Sequence, residues 1–210
     1  VEMYALRKSD RILVVIEEAR DLVIERGATP EKVLIVGNTP PLQAFAASGG
    51  ESPCELDEIR NRYSIIYTGG IQMGRGIQVV LHAIPDVIRV IPDFLFVIVG
   101  DGYAVPRLKE MAREIGIQDH VKWVGWVTHE DIFEYIRACR IGIIPHLTTD
   151  HVNTTIPNKI YDYMGLALPV IASDAVPMKR IVEREACGIV FRSGDSGDLT
   201  KAILEIYRSG

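Results

Sequence analysis

The sequence predicts a doubly wound α/β domain, a six-stranded parallel sheet with helices on both faces, over residues 63–210. Three observations point there. From Tyr63 onward, short apolar runs alternate with amphipathic stretches, the rhythm of repeated βα units. The apolar runs are near-continuous rather than alternating, so both sheet faces are to be covered. Most of them also stop at glycine or at a polar loop.

Residues 64–68 (SIIYT) are β-branched and aromatic and end at Gly69 and Gly70. In 76–90, Ile77, Val80, Leu81, Ile84 and Val87 fall on one helical face. Residues 95–99 (LFVIV) read as a strand buried on both sides, ending at Gly100-Asp101-Gly102. A helix over 106–115 follows, with Gly116 placed to cap it. Four more strands are expected at 121–124, 141–144, 170–172 and 188–191. The helices between and after them span 130–138, 157–166, 178–184 and 198–207. If the strand order is the common 3-2-1-4-5-6, the topological switch lies between the first and fourth strands. A ligand then binds beyond their carboxyl ends, at the loops starting at Gly69 and Pro145.

The first 43 residues read as a separate strand-helix-strand unit: 12–16 (ILVVI), 17–26 and 33–36, with Gly27 as the helix cap. Such a unit cannot cover its own apolar faces. It either extends the main sheet or ends a domain whose remainder is elsewhere. Residues 44–62, with Pro40-Pro41 just before and the SGGES stretch at 48–52, read as a linker.

Composition narrows the function. With 48% hydrophobic and 24% charged residues the chain reads as a soluble globular protein. A net charge of −5 argues against a general nucleic-acid binder. No apolar run reaches the roughly 20 residues needed to span a bilayer, and nothing in the opening residues reads as a signal peptide. Cys54, Cys139 and Cys187 form no CxxC pair, so neither a zinc site nor a disulfide framework is expected. A reducing cytoplasm fits this usage, with peripheral membrane association left open for the full-length protein.

Two loops carry the chemistry. Gly69, Gly70, Gly74 and Gly76 let backbone amides approach a phosphate, with Arg75 at the start of the next helix. A solvated arginine on a glycine-rich turn is the alternative. The loop from Pro145 to Lys159 is rich in hydroxyls and amides, and longer than structural connections usually are. His146 and His151 within it have no recognised ligand spacing, so a polyhydroxylated ligand suits the loop better than a metal. Lys159 opens a helix, where the macrodipole disfavours a cation unless an anion is bound. Asp162, three residues on, either pairs with Lys159 or accepts from ribose hydroxyls. No GxGxxG, GxxxxGK[ST] or GxSxG motif is present.

In order, the chain carries Val36-Gly37-Asn38, Tyr67-Thr68-Gly69-Gly70 with Arg75-Gly76, Val99-Gly100-Asp101-Gly102 and Val124-Gly125-Trp126-Val127. Then come Pro157-Asn158-Lys159-Ile160-Tyr161-Asp162-Tyr163-Met164, Leu168-Pro169-Val170-Ile171-Ala172 and Cys187-Gly188-Ile189. This series resembles the C-terminal domain of retaining family-4 glycosyltransferases of the GT-B fold, over about residues 33–205. The resemblance implies a Rossmann-like domain that binds a nucleoside-diphosphate sugar without a metal or other cofactor. It implies donor-binding roles for Gly69, Gly70, Arg75, Gly100, Val127, Thr154, Thr155, Asn158, Lys159 and Asp162. Gly70 stands where the family has a phosphate-binding Arg, Arg75 where it has a Lys, and Lys159 is placed to compensate. Val127 matches a backbone contact to the base, and Asp162 the second Glu of the family's E-x7-E motif.

Thr154 occupies the first Glu position of that motif, so no catalytic residue is assigned. By the same resemblance, residues 1–43 are the last strand-helix-strand of an acceptor-binding domain. The acceptor, a glycan, lipid or small molecule, would bind there, and this chain alone would transfer little or nothing. Residues 1–43, with apolar faces left open, would be poorly ordered, pack makeshift on the donor domain or pair with a second copy, and their loss would change nucleotide affinity only a few-fold. A non-catalytic nucleotide-binding module and a fragment of a GT-B epimerase or phosphorylase are the alternatives.

Overall fold

A computed structural model describes residues 2–45 and 55–209. The SGGES stretch and Cys54 lie outside the described residues. The chain opens with α1 (Glu2–Lys8), β1 (Ile12–Val14), α2 (Glu17–Glu25) and β2 (Val33–Ile35). The strands β1 and β2 pair in parallel as a two-stranded sheet of their own, with Ile12 opposite Val33. The unit therefore does not extend the main sheet.

Within the stretch read as a linker, Glu55–Asn61 forms a helix, α3. Leu56 and Ile59 have no exposed surface and belong to the core beneath the main sheet. Seven residues among charged neighbours carry too little helical periodicity to stand out from a polar connection. Two apolar side chains nonetheless suffice to seat this helix.

The main sheet contains β3 (Tyr63–Thr68), β4 (Phe94–Val99), β5 (Val121–Gly125), β6 (Ile141–Ile144), β7 (Val170–Ser173) and β8 (Gly188–Phe191). Its order is β5-β4-β3-β6-β7-β8, all parallel, which is the expected 3-2-1-4-5-6. All six residues of β4 are buried, as its unbroken apolar run requires.

The helices are α4 (Ile77–Val87), α5 (Val105–Ile115), α6 (His129–Ala138), α7 (Lys159–Gly165), α8 (Val176–Arg184) and α9 (Ser196–Ser209). One face of the sheet packs against α4, α5 and α9, the other against α3, α6, α7 and α8. Ile77, Val80, Leu81, Ile84 and Val87 are all fully buried on α4. Gly116 ends α5 in the left-handed conformation, with its N–H bonded to the Arg113 carbonyl. Thr128 caps α6 by accepting from the Asp131 N–H. Among the described residues, no helix is long and apolar enough to cross a membrane.

The N-terminal unit docks on α7 and α8. Ile16 is buried in the core shared with those helices. Arg180 on α8 holds Glu18 through two parallel bonds of 2.7 and 2.9 Å and also pairs with Glu17. Elsewhere the unit is open, with Leu13 66% and Leu34 46% exposed.

Candidate functional site

The crevice lies where the sheet order reverses, beyond the carboxyl ends of β3 and β6, and encloses about 440 Å³. Its walls are the loop after β3 and the long loop that leads from β6 into α7. Gly76 lets these walls meet. Its φ is +74°, and a Cβ there would land on the Pro145 carbonyl, while Leu147 N–H bonds to the Gly74 carbonyl. At Gly100, with φ +135°, a Cβ would strike the Gly69 carbonyl. Gly100 thus sets the depth of the β3 loop from behind and does not line the cleft.

The far wall is held by Tyr163. It lies on the buried side of α7 with Ile160, its ring packed against Gly142 of β6. Its hydroxyl accepts from the Thr68 N–H at 3.1 Å and donates to the Ile66 carbonyl at 3.2 Å. The seven-residue α7 is thereby pinned to β3, and Lys159 and Asp162, on its other side, are turned toward the cleft.

Of the residues singled out in the sequence, Gly69, Gly70, Arg75, Thr155, Asn158, Lys159 and Asp162 line this one cleft. Val127 instead packs partly buried against the core beside α6 and is not part of it. Thr154 also lies off the lining, and its hydroxyl bonds to the carbonyls of Asp150 and His151. Tyr67 and Thr68, read as strand and motif residues but given no role in the site, form part of the floor. Polar aromatic and hydroxyl side chains at the carboxyl end of the first sheet strand were the available signal.

The electrostatics are one-sided. Among the described residues, ion pairs are made by Arg62, Arg107, Arg137, Arg180 and others, and none involves Arg75 or Lys159. The Lys159–Asp162 ion pair that the sequence allowed is therefore not formed. The Lys159 ammonium lies 3.5 Å from the centroid of the Tyr67 ring, a cation–π contact of about 2 kcal/mol when desolvated. Tyr67 in turn donates its hydroxyl to the Gly70 carbonyl at 2.8 Å. Burial, and then the nearby Arg75, push Lys159 well below its usual value; Asp162 opposes them. Because α7 has only seven residues, the helix macrodipole is a minor influence on Lys159. The stronger ground for expecting an anion is that two cations share a cleft without a carboxylate in contact.

His146 adds a third polar feature. It is 2% exposed, and its Nε2 has no hydrogen-bond partner. Burial, reinforced by Lys159 and Arg75, holds the imidazole neutral, with its pKa pushed down to about 2. At the rim, Asn38 of the N-terminal unit donates to Asn158 Oδ1 at 2.9 Å. Among the described residues, no three His, Cys, Asp or Glu side chains converge as metal ligands.

The chain is 25% identical to alpha-D-kanosaminyltransferase of Streptomyces kanamyceticus over 213 residues, covering 97% of this chain and 53% of that protein. It is also 25% identical to D-inositol 3-phosphate glycosyltransferase of Thermomonospora curvata, covering 90% of this chain and 47% of that one. Among solved structures, Anabaena HepE in complex with UDP superposes with a TM-score of 0.82 at 18% identity, over 98% of this chain and 56% of HepE. Sucrose-phosphate synthase from Thermosynechococcus elongatus gives 0.81 at 20% identity, over 99% and 51%. These likenesses establish a shared fold, the C-terminal half of the GT-B architecture. The chain spans about half the length of the relatives it matches. A family model described as glycosyl transferases group 1 matches residues 62–209, the whole of the six-stranded sheet with α4 to α9. The chain belongs to the group 1 glycosyl transferases.

Proposed function

We propose that the cleft binds the diphosphate of a nucleoside-diphosphate sugar and that the chain is the donor half of a retaining glycosyltransferase. The observation that carries this reading is the convergence of Arg75 and Lys159 at the switch point, neither in an ion pair. Transfer breaks the bond between the sugar and the diphosphate, and negative charge grows on the leaving phosphate. Two fixed cations in a partly enclosed cleft stabilise that charge more than the spread charge of the ground state. Asn158, Thr155 and Asp162 supply donors and acceptors for the sugar and ribose hydroxyls. HepE, of the same fold, was solved with UDP and with UDP-glucose.

Thr154 cannot act as a carboxylate, and its hydroxyl is already engaged with main-chain carbonyls. The acceptor and the remaining catalytic groups accordingly belong to the other half of the enzyme, with residues 1–43 as the near edge of the acceptor domain. Donor binding needs no metal in this reading, because the two cations do the work a divalent ion would do.

Calorimetry with UDP, GDP and ADP, each with and without EDTA, tests the proposal. One nucleotide binds, and EDTA changes its affinity by less than about tenfold, or 1.4 kcal/mol. Arg75→Ala weakens it by about tenfold or more, from the loss of a charge-assisted contact of roughly 1.5–3 kcal/mol. No binding of any of the three, or an unchanged affinity in a folded Arg75→Ala chain, overturns the assignment.

A further inference from the structure

Residues 145–148, which leave the carboxyl end of β6, stand between two other loops and are gripped from both sides. On one side they meet the β3 loop that carries Arg75. The Leu147 N–H donates to the Gly74 carbonyl at 3.0 Å, and Gly76 lies so close to Pro145 that no Cβ fits between them. On the other side they meet Ser193, in the loop after β8. Its hydroxyl accepts from the Thr148 N–H at 2.8 Å and donates to the His146 carbonyl at 3.4 Å. Ser193 is fixed in turn by Asp174, just past the end of β7. Asp174 Oδ1 accepts from the Ser193 N–H at 3.0 Å and from the Thr148 hydroxyl at 3.3 Å. None of Thr148, Asp174 and Ser193 lines the cleft.

The loop that carries Ser193 is itself tied down. The Arg192 N–H donates to Asp198 Oδ2 and the Asp198 N–H to Asp195 Oδ1, which folds the turn onto the start of α9. Residues 148–150 are exposed, so hydrogen bonds rather than packing hold this end of the wall. We infer that Asp174 and Ser193 are positioning residues for the cleft: they hold residues 146–148 as the wall on which the Arg75 loop rests, and through it they set the place of Arg75. The inference rests on the donor-site reading for its ligand and adds what keeps that site in shape. Asp174 acts here by geometry and against its own charge. Its negative charge alone can only oppose an anion in the cleft, whereas its acceptor oxygen orders the wall. Both bonds end on the one oxygen Oδ1, so an amide can take over the acceptor role without the charge.

The test is calorimetric titration of the 210-residue chain with UDP, GDP and ADP, the nucleotide that binds serving as the probe for the variants. Asp174→Ala is expected to weaken binding by about three- to tenfold, the size of couplings that reach a site from outside it. Asp174→Asn is expected to bind at least as tightly as the parent. Ser193→Ala is expected to match Asp174→Ala, and the double variant to lose no more than about twofold beyond either, because the two act as one device. Affinity that rises in both Asp174 variants means that charge alone acts, and it overturns the inference. An equal loss in Asp174→Ala and Asp174→Asn, or an unchanged affinity in Ser193→Ala, overturns it too, while leaving the donor site standing.

Amide hydrogen exchange reads the same device without a nucleotide. In Asp174→Ala and Ser193→Ala the Leu147 N–H, which neither substitution touches, is expected to exchange about tenfold faster or more, while the amides of β3 and β4 stay slow. An unchanged Leu147 rate overturns the inference, as does a rise shared by β3 and β4, which marks general unfolding. If none of the three nucleotides binds the parent chain, the donor-site reading fails, and the Leu147 rate alone decides whether Asp174 and Ser193 hold the wall.

Discussion

The strands β1 and β4 are written in nearly the same letters, yet they have opposite fates. Ile12–Val14 opens the run ILVVI, and its central Leu13 is 66% exposed. Phe94–Val99 contains the run LFVIV, and every residue is buried. The difference is in what lies on the two sides. The six-stranded sheet has helices against both faces, while the β1-β2 pair has α2 and one edge of α7 and α8. An apolar run specifies that a strand seeks cover; it does not specify that cover is present. The six-stranded unit therefore has its own core, and the β1-β2 unit borrows one through Ile16 and Arg180.

Core truncations probe this contrast most strongly. Ile66→Ala, at a fully buried position of β3, should cost about 2–5 kcal/mol in urea unfolding. Leu34→Ala on the open β2 should stay within about 0.5 kcal/mol, as surface substitutions do. Equal losses at the two positions would mean that the β1-β2 pair is covered in solution.

Acid addresses the site itself. His146 stays neutral in the folded chain down to about pH 2, whereas the unfolded chain protonates it below about 6.5. The unfolded state therefore binds more protons across that window, and stability falls as pH drops through it. The slope from this one group is about 1.4 kcal/mol per pH unit. Replacing His146 with Leu should flatten the acid limb of the stability curve between pH 6.5 and 5. An unaltered limb would mean that the imidazole is not held neutral.

Arg180→Ala should detach the N-terminal unit without opening the main sheet, at a cost of about 1–2 kcal/mol given the partial exposure of the pair. Hydrogen exchange should rise in β1, α2 and β2 and stay slow in β3 and β4. Burial alone would raise the Glu18 carboxyl, but its bonds to Arg180 outweigh that and hold it below its usual value. This contribution is present above about pH 4.5 and is lost as pH falls through the lowered value.

The smallest effect concerns the hydrogen bond from Asn38 of the N-terminal unit to the cleft. Asn38→Ala frees Asn158 Oδ1 at an exposed site. If the proposed nucleoside-diphosphate site holds, its affinity should fall by no more than a few-fold, since an exposed neutral bond is worth about 0.5–1.5 kcal/mol. A loss beyond tenfold would make residues 1–43 part of the donor site rather than its neighbour.

The six strands and the two loops at the switch point were legible because they rest on local signals, whereas the strand order was supplied by the common doubly wound pattern. Long apolar runs, helical spacing and glycines at strand ends each act within a few residues. Lys159 and Arg75 were legible as cations at the switch point for the same reason. What the tertiary structure decided was how such residues are partnered. Lys159 rests on Tyr67, 92 residues earlier, instead of pairing with Asp162 three residues on. Tyr163 reaches back to Thr68, Asn38 meets Asn158, and Leu56 and Ile59 turn a presumed linker into a core helix. Gly100, Val127 and Thr154 fit the family pattern in sequence but lie behind or beside the cleft. Such outcomes depend on which surfaces meet when the sheet is assembled, and the energy of a buried charge or an open strand is set by neighbours far away in the chain.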